Sequence, residues 1–447
     1  MIKLVKYITT LSLPFFTKMI QEEYKGRMIL LKKIIAKSTA WLLLLCLFSA
    51  SLKAQPKTLD YYIGQSIQNS PLLKEVNNNI LLNRIDSLRI LATYMPQLTG
   101  NSINYVAPTV KGYGYDEIIT NLRNFNEQVN ASKLLVSRRN LRIQFNGIQL
   151  LNDSLTVAGN ITQQDLKRTI TAAYIAAYGS WRQYSYNQAI YNLLSKEDTV
   201  LKKLTQASVY KQTDYLTFLV TLQQQHLLIM QSTIQYKNDF ATLNYLSGLF
   251  DTSFVPLDSP SLEMAQLPDL SGNIFYRKFT IDSLLLKNAG KQIDLAYLPK
   301  VTLSADAGYV SSLQITPYKN FGAGAGVNIT VPIYYGRQRR LQHRRLDILE
   351  STRATYRDFF ATQYQQQVAQ LTQQLNLTKQ LVNETNNQLR YIQTLIDANR
   401  KLLITGDVRI ADYVIAINNY ISAQSIVTQN LVSEYQIITQ INYWNRR

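Results

Sequence analysis

The chain has 447 residues, Lys and Arg outnumber Asp and Glu by 47 to 29, and the only cysteine is Cys46. A lone cysteine excludes an intrachain disulfide framework, and its place in an early apolar run excludes thiol chemistry once that run is removed. Residues 1–54 hold nine basic and two acidic residues, so the rest of the chain carries +11, a moderate charge spread over a long chain.

In chain order, the first feature is an export leader. From Met28, Lys32 and Lys33 precede an almost unbroken apolar run, Ala40 to Ala50, and Ser51-Leu52-Lys53-Ala54 follows. A basic start, a short apolar core and a small residue at the cut predict cleavage after Ala54. The run is shorter than the ~18 residues a membrane span needs. Residues 1–27 fit poorly in front of it, which marks Met28 as the expected start. An exported chain is a poor partner for nucleic acid. No later segment has the length and apolarity of a membrane helix, so any membrane part must be built from strands.

Leu59 to Met95 reads as helix. Next comes a hairpin at about 97–136. There Asn124, Asn126, Gln128, Asn130 and Ser132 form one face, and Phe125, Val129 and Ala131 the other, with Glu127 as an exception. From Arg138 to Val209 the sequence predicts one helix of about 105 Å at 1.5 Å per residue. A tight turn at Val209 to Thr213 starts a returning helix of about half that length. Residues 109–255 contain no proline, and neither do residues 333–447. Such stretches favour helices well beyond the usual ~11–12 residues.

Ile274 to Leu298 reads as the next helix, and a second hairpin follows at about 300–333. In Val301 to Val310, and again in Phe321 to Ile333, apolar residues alternate with polar or small ones. Period two over such lengths suits a tilted membrane strand of ~9–11 residues. Tyr105, Tyr113, Tyr115, Tyr309, Tyr318, Tyr334 and Tyr335 stand at strand ends, as an aromatic girdle would. Another long helix then runs to a turn at Thr405 to Val408, and a final helix closes the chain.

The second half echoes the first. Ala92 to Leu98 matches Ala296 to Val301, Leu134 to Arg139 matches Pro332 to Arg337, and Thr213-Asp214-Tyr215 matches Ala411-Asp412-Tyr413. These echoes define a leader at 1–54, a first repeat at 55–255, and a linker with a second repeat at 256–447. Ile410, Val414, Ile417, Ile421, Gln424, Thr428, Leu431, Tyr435 and Ile438 step by four and three, as do Leu216, Val220, Gln223, Leu227, Met230, Ile234, Lys237 and Ala241. Tyr413, Tyr420 and Val427 form a second row, so the last helix packs on more than one face. Ten glutamines in 361–393 give the other faces a neutral, water-tolerant character.

In order and in duplicate, these pieces resemble the TolC family of outer-membrane efflux channels. The resemblance rests on Leu59-Asp60-Tyr61-Tyr62, Tyr297 to Lys300, Val331 to Gly336, and the Gly406-x5-Asp412 turn, and it covers the chain after the leader. It implies a mainly α fold with a membrane β-barrel contribution. Two hairpins would give four strands per protomer to a trimeric twelve-stranded barrel, and long coiled-coil helices would form an α-barrel in the periplasm. It further implies a homotrimer in the outer-membrane bilayer, working with a periplasmic adaptor and an inner-membrane pump. Asp412 takes the position of an inward-facing constriction aspartate and Asp214 the equivalent place in the first copy, where Ser208 replaces the turn glycine. A role as helix-start carboxylates favoured by the dipole stands beside the gating role. Leu403, Val408 and Ile415 depart from the family pattern, so any latch must be built differently, with Arg409, Asp407 and Lys211 as candidates. Ser208, Val209, Tyr210, Thr405 and Gly406 are the expected adaptor contacts.

Catalytic chemistry finds no support in the residues. His226 and His343 lie on different predicted helices, and Gly322, Gly324 and Gly326 alternate with alanine instead of opening a helix, so no phosphate loop, metal spacing or nucleophile motif is present. The expectation is a passive export duct with no cofactor and no enzymatic activity. The competing reading is a periplasmic coiled-coil adaptor or scaffold without a pore. The run Arg337, Arg339, Arg340, Arg344 and Arg345 reads as an anchor at the membrane interface or as a solvated helix face.

Overall fold

The computed structural model describes residues 58–444 apart from 117, 119–122, 252–254, 267–269 and 314–315. The predicted leader therefore lies outside the described residues. The order is α1 (Leu59–Asn69), α2 (Pro71–Thr93), β1 (Gln97–Val106), β2 (Arg123–Leu135), α3 (Arg138–Gln206) and α4 (Gln212–Leu246). After a connecting segment come α5 (Ile274–Ala296), β3 (Lys300–Ser311), β4 (Phe321–Thr330), α6 (Gln338–Thr405) and α7 (Ile410–Trp444).

Local chemistry sets most of these boundaries. The helix expected from Leu59 to Met95 is broken at Ser70-Pro71. Proline cannot donate within a helix but is suited to a first turn, and the Ser70 hydroxyl accepts from Leu73 N to cap the new start. Ser137 caps α3 in the same way through Asn140 N. Both long helices end in the left-handed region, at Ser208 (φ 62°) and Gly406 (φ 82°). Asp407 N then returns to Leu402 O, and Val209 N to Leu204 O, at 3.0 Å each. β4 stops at Thr330, three residues before the expected Ile333, because Pro332 has no N–H to give a ladder.

The strands form one antiparallel sheet in the order β1-β2-β3-β4. The β2–β3 pairing, Leu135↔Val301 through Phe125↔Ser311, joins the two hairpins side by side. Gly308 is fixed by this pairing: a Cβ there would lie 2.1 Å from Glu127 O and 2.6 Å from Gln128 Cα.

The helices pair by length. α3 and α6 have 69 and 68 residues, α4 and α7 have 35 each, and α2 and α5 have 23 each. At 1.5 Å per residue the long helices reach about 100 Å away from the sheet. α2 covers the first half of α3 and α4 its second half, while α5 and α7 do the same for α6. α3 also packs on α5 and α7, which joins the two sets.

A core at the far end takes residues from α3, α4, α6 and α7, among them Leu194, Leu201, Phe218, Leu403, Tyr413 and Ile417. A second core surrounds Tyr62, Tyr174 and Tyr236. Burial pushes the phenols of all three upward. Leu257 of the connecting segment sits in this core, and Tyr174 Oη donates to Asp258 O at 2.8 Å. The same segment is tied to α7 by Asn442, which donates to Glu263 O (2.8 Å) and accepts from Ala265 N (2.9 Å).

The two heptad rows have opposite fates. Along α7, Ile410, Val414, Ile417, Thr428 and Ile438 are buried within the chain, and so are Tyr413 and Val427 of the second row. Along α4, Leu216, Val220, Leu227, Met230 and Ile234 are all at least half exposed. The α4 seam therefore is not the contact with α3. That contact uses Tyr215, Phe218, Ser232, Tyr236 and Phe240, on the other side of the helix.

Candidate functional site: the sheet wall and the helical turns

Register assigns every strand residue to a face, because directly paired residues share one. One face carries Val301 and Ile329, Leu303 and Val327, Ala305 and Ala325, and Tyr309 and Phe321 as pairs. The β2 partners on this face include Phe125, Val129 and Ala131, as expected. The other carries Thr302 with Asn328, Ser304 with Gly326, and Asp306 with Gly324. Asn126, Gln128, Asn130 and Ser132 extend that polar face across β2. Neither face is covered: Val327, Ile329 and Phe321 are 64%, 63% and 75% exposed.

Glu127 interrupts the apolar face near its loop end and is not left bare. Ser102 Oγ and Asn104 Nδ2 both donate to its Oε1, at 2.7 and 3.0 Å. β1 is the least regular strand, since Ile103 and Tyr105 pair with Asn126 and Asn124 on the polar face. Tyr105 thus shares the polar face, whereas Tyr309 packs on Phe321 with ring centroids 5.1 Å apart.

Where the strands pass into helices, Asp294 accepts from Arg339 Nε (3.0 Å) and Nη2 (2.9 Å) and pairs with His343 Nε2 at 2.8 Å. The His343 bond, with Arg339 beside it, holds the Asp294 carboxyl below the usual range. Tyr297 stacks edge-on against Tyr335 at 5.6 Å. His343 is thus a bracing residue between α5 and α6, and His226 lies against Tyr191 at 5.5 Å. Among the described residues, no group of three or more His, Cys, Asp or Glu is placed to hold a metal. No described helix is long and apolar enough to cross a membrane.

At the far end the structure brings the two turns together. Tyr210 Oη reaches Leu403 O at 2.8 Å and Val408 O at 2.9 Å, so the first turn holds the backbone of the second. Burial, with Asp407 nearby, pushes this phenol up. Val209 lies against Gly406, where a Cβ would come within 2.9 Å of its Cγ1. Leu403 is fully buried and Val408 packs on the same core, so these two departures from the family pattern are apolar packing residues here. Thr405 Oγ1 caps back to Leu402 O, and Ser208 occupies the left-handed position that Gly406 fills in the other turn.

Within the chain, one of the charged candidates pairs with Asp412. Arg409 binds Asp412 bidentately, Nε to Oδ2 at 2.9 Å and Nη2 to Oδ1 at 3.0 Å. It makes no ion pair with Asp407, and Lys211, at the start of α4 with Asp214 in its first turn, makes none with Asp407 either. Ile415 is 57% exposed one turn beyond Asp412.

A site the sequence did not single out lies about two turns further in. Glu197 of α3 is 2% exposed and its Oε1 lies 2.6 Å from Arg400 Nε of α6. Tyr413 Oη is buried there without a hydrogen-bond partner, and burial followed by the Glu197 charge pushes that phenol up. The signal was present: Ile190, Leu194, Glu197 and Leu201 step by four and three, which puts a carboxylate in an apolar seam.

The chain is thus mainly helical, with hairpins of 35- and 68–69-residue helices and one four-stranded, two-faced sheet. No family model and no curated protein sequence matches the chain. Solved structures do. CusC, described in connection with transmembrane channel formation, aligns with a TM-score of 0.71 at 13% identity, covering 88% of this chain and 93% of its own. The outer-membrane channel OprN gives 0.68 at 15%, covering 86% and 89%. The Campylobacter jejuni outer-membrane channel CmeC gives 0.67 at 10%, covering 87% and 86%. The chain has the fold of the TolC-family outer-membrane channels.

Proposed function

We propose that this chain is the outer-membrane channel of an export or efflux system, a passive duct for small molecules or exported substrates. The observation that carries the reading is the sheet. It has an apolar face and a polar face, both uncovered, and β1 and β4 each have one neighbour within the chain. Open edges invite further pairing, and an apolar outer face suits hydrocarbon when a polar inner face lines water. Three copies of four strands would close a twelve-stranded barrel.

The helices support the same assembly. The exposed α4 row has a counterpart on α6, where Leu377, Leu381, Tyr391, Leu395 and Leu402 are exposed at heptad-compatible spacing. Pairing α4 of one copy with α6 of the next would bury both rows and close a homotrimeric cylinder. The matching lengths of α2, α3 and α4 with α5, α6 and α7 support a tandem repeat, 55–255 and 256–447.

In this reading the α-barrel projects into the periplasm and its turns meet an adaptor, and through it an inner-membrane pump, at Ser208, Val209, Tyr210, Thr405 and Gly406. The constriction is built from Asp412 and Asp214, with Asp407, Arg409 and Lys211 around them. Because Arg409 neutralises Asp412, the ring is weakly charged. Asp412→Asn then leaves three unpaired Arg409 side chains and shifts selectivity toward anions, while Arg409→Gln shifts it toward cations. Single-channel recordings read both. The function itself is tested by heat-modifiable migration in the outer-membrane fraction together with planar-bilayer conductance. Recovery as a soluble periplasmic protein without conductance would favour the adaptor or scaffold reading.

A further inference from the structure

A basic belt lies where the strands become helices. α3 opens with Arg138, Arg139 and Arg142, and Arg337 to Arg345 surround the start of α6. Residues 333–346 hold five arginines and no carboxylate, and residues 133–146 hold three arginines, a lysine and no carboxylate. Of these arginines only Arg339 has an ion pair, with Asp294. Arg138, Arg139, Arg142, Arg337, Arg340, Arg344 and Arg345 are exposed and make no salt bridge.

Helix electrostatics does not account for this placement. The start of a helix carries partial positive charge and favours anions, so arginines concentrated there work against it. The arrangement also occurs twice, after β2 and after β4, the two strands that lead from the sheet into the long helices. Between the apolar sheet face and the α6 arginines stand Val331, Ile333, Tyr334 and Tyr335, which are 54%, 94%, 80% and 50% exposed. Apolar strand, aromatic collar and then unpaired cation is the sequence of environments met on leaving a bilayer: hydrocarbon, interface and headgroup.

We infer that this belt binds the phosphate headgroups of anionic phospholipids in the leaflet facing the helices. The inference rests on the membrane-barrel reading and adds a lipid class to it. The side chains are long enough to snorkel from the helix starts to the headgroup level, and guanidinium groups bind phosphate oxygens in pairs. Arg339 is excluded from this role, being held by Asp294.

The test reconstitutes the full-length channel in nanodiscs of phosphatidylcholine containing a minor fraction of phosphatidylglycerol. Phospholipid retained on extraction is then counted by native mass spectrometry. Each arginine near the headgroups contributes up to about a five-fold preference. Phosphatidylglycerol should therefore be retained many-fold above its fraction in the disc. Arg138→Gln/Arg142→Gln/Arg340→Gln/Arg344→Gln should bring it back toward that fraction, with the heat-resistant oligomer intact. High salt should do the same to the wild type, and millimolar inorganic phosphate should not, which separates a lipid site from a free-anion site. Equal retention by the wild type and the variant in discs that contain the inserted channel overturns the belt assignment alone. Unchanged retention with altered ion selectivity in the variant overturns it in favour of arginines facing the pore. Failure of the chain to insert at all removes the membrane reading and this inference together.

Discussion

Arginine at Val327 and at Asn328 separates the two faces of the sheet with one-residue resolution. Val327 pairs with Leu303 on the apolar face, and Asn328 with Thr302 on the polar one. β4 ends at Thr330, so Val327 lies about 10 Å along the strand from that end. With a tilt near 40° this is roughly 8 Å along the membrane normal, within an apolar band about 25 Å tall. In the membrane-barrel reading Val327 would therefore sit about 5 Å from the midplane, on the helix side. Arginine on the lipid face there costs about 2–3 kcal/mol per protomer, close to the midplane value. The lost pairing with Leu303 adds up to about 1 kcal/mol. Asn328→Arg places its charge toward water and should cost less than about 1 kcal/mol. The assay is folding into lipid vesicles over a urea series, read as the fraction of heat-resistant oligomer. Val327→Arg should lower the midpoint clearly, and Asn328→Arg should stay near wild type. Equal losses, or the reverse order, would refute the assignment of faces.

Three further outcomes follow from particular contacts. Gly308→Ala should block the β2–β3 pairing, since its Cβ meets backbone at 2.1 Å, while Gly322→Ala, with nothing within 4 Å, should assemble normally; gel mobility without heating tells them apart. Arg400→Leu should destabilise by about 2–3 kcal/mol because it strands the buried Glu197 carboxylate, whereas Glu197→Leu leaves an Arg400 side chain that is 48% exposed and can reach water, so it should be near neutral in thermal melts. Asp294 has a folded pKa below its unfolded value, so the stability it contributes is present above the unfolded value, near 3.8, and is lost as pH falls through the folded value. The melting difference between wild type and Asp294→Asn should accordingly be constant near neutral pH and close only below about pH 4; a difference that persists unchanged below that pH would refute the role given to the Asp294 carboxylate.

The sequence by itself determined most of the elements and the faces of β2, β3 and β4. Period two in Val301 to Val310 named the apolar and polar sides of β3, and the register kept them. The absence of proline from 109–255 announced a helix of the length α3 has. The left-handed turn at Gly406 was legible because glycine is cheap there, while Ser208 adopting the same geometry became visible only by analogy between the halves. All of these are local properties, set by backbone sterics and by side-chain alternation within a few residues.

Only the tertiary structure decided which stripes meet within the chain. The heptads of α4 and α7 look alike in sequence, yet α7 buries its row against its own chain and α4 exposes its own. Periodicity gives the angle of a stripe around a helix and carries no information about which molecule supplies the other half. The contact of Tyr210 with Leu403 O and Val408 O spans 193 and 198 residues and falls on backbone oxygens, which every residue possesses, so no side-chain pattern could mark it. The Glu197–Arg400 pair was hidden for a related reason: a carboxylate in a seam shows that a partner is needed, and only the packing of α3 against α6 shows which cation is near enough to provide it.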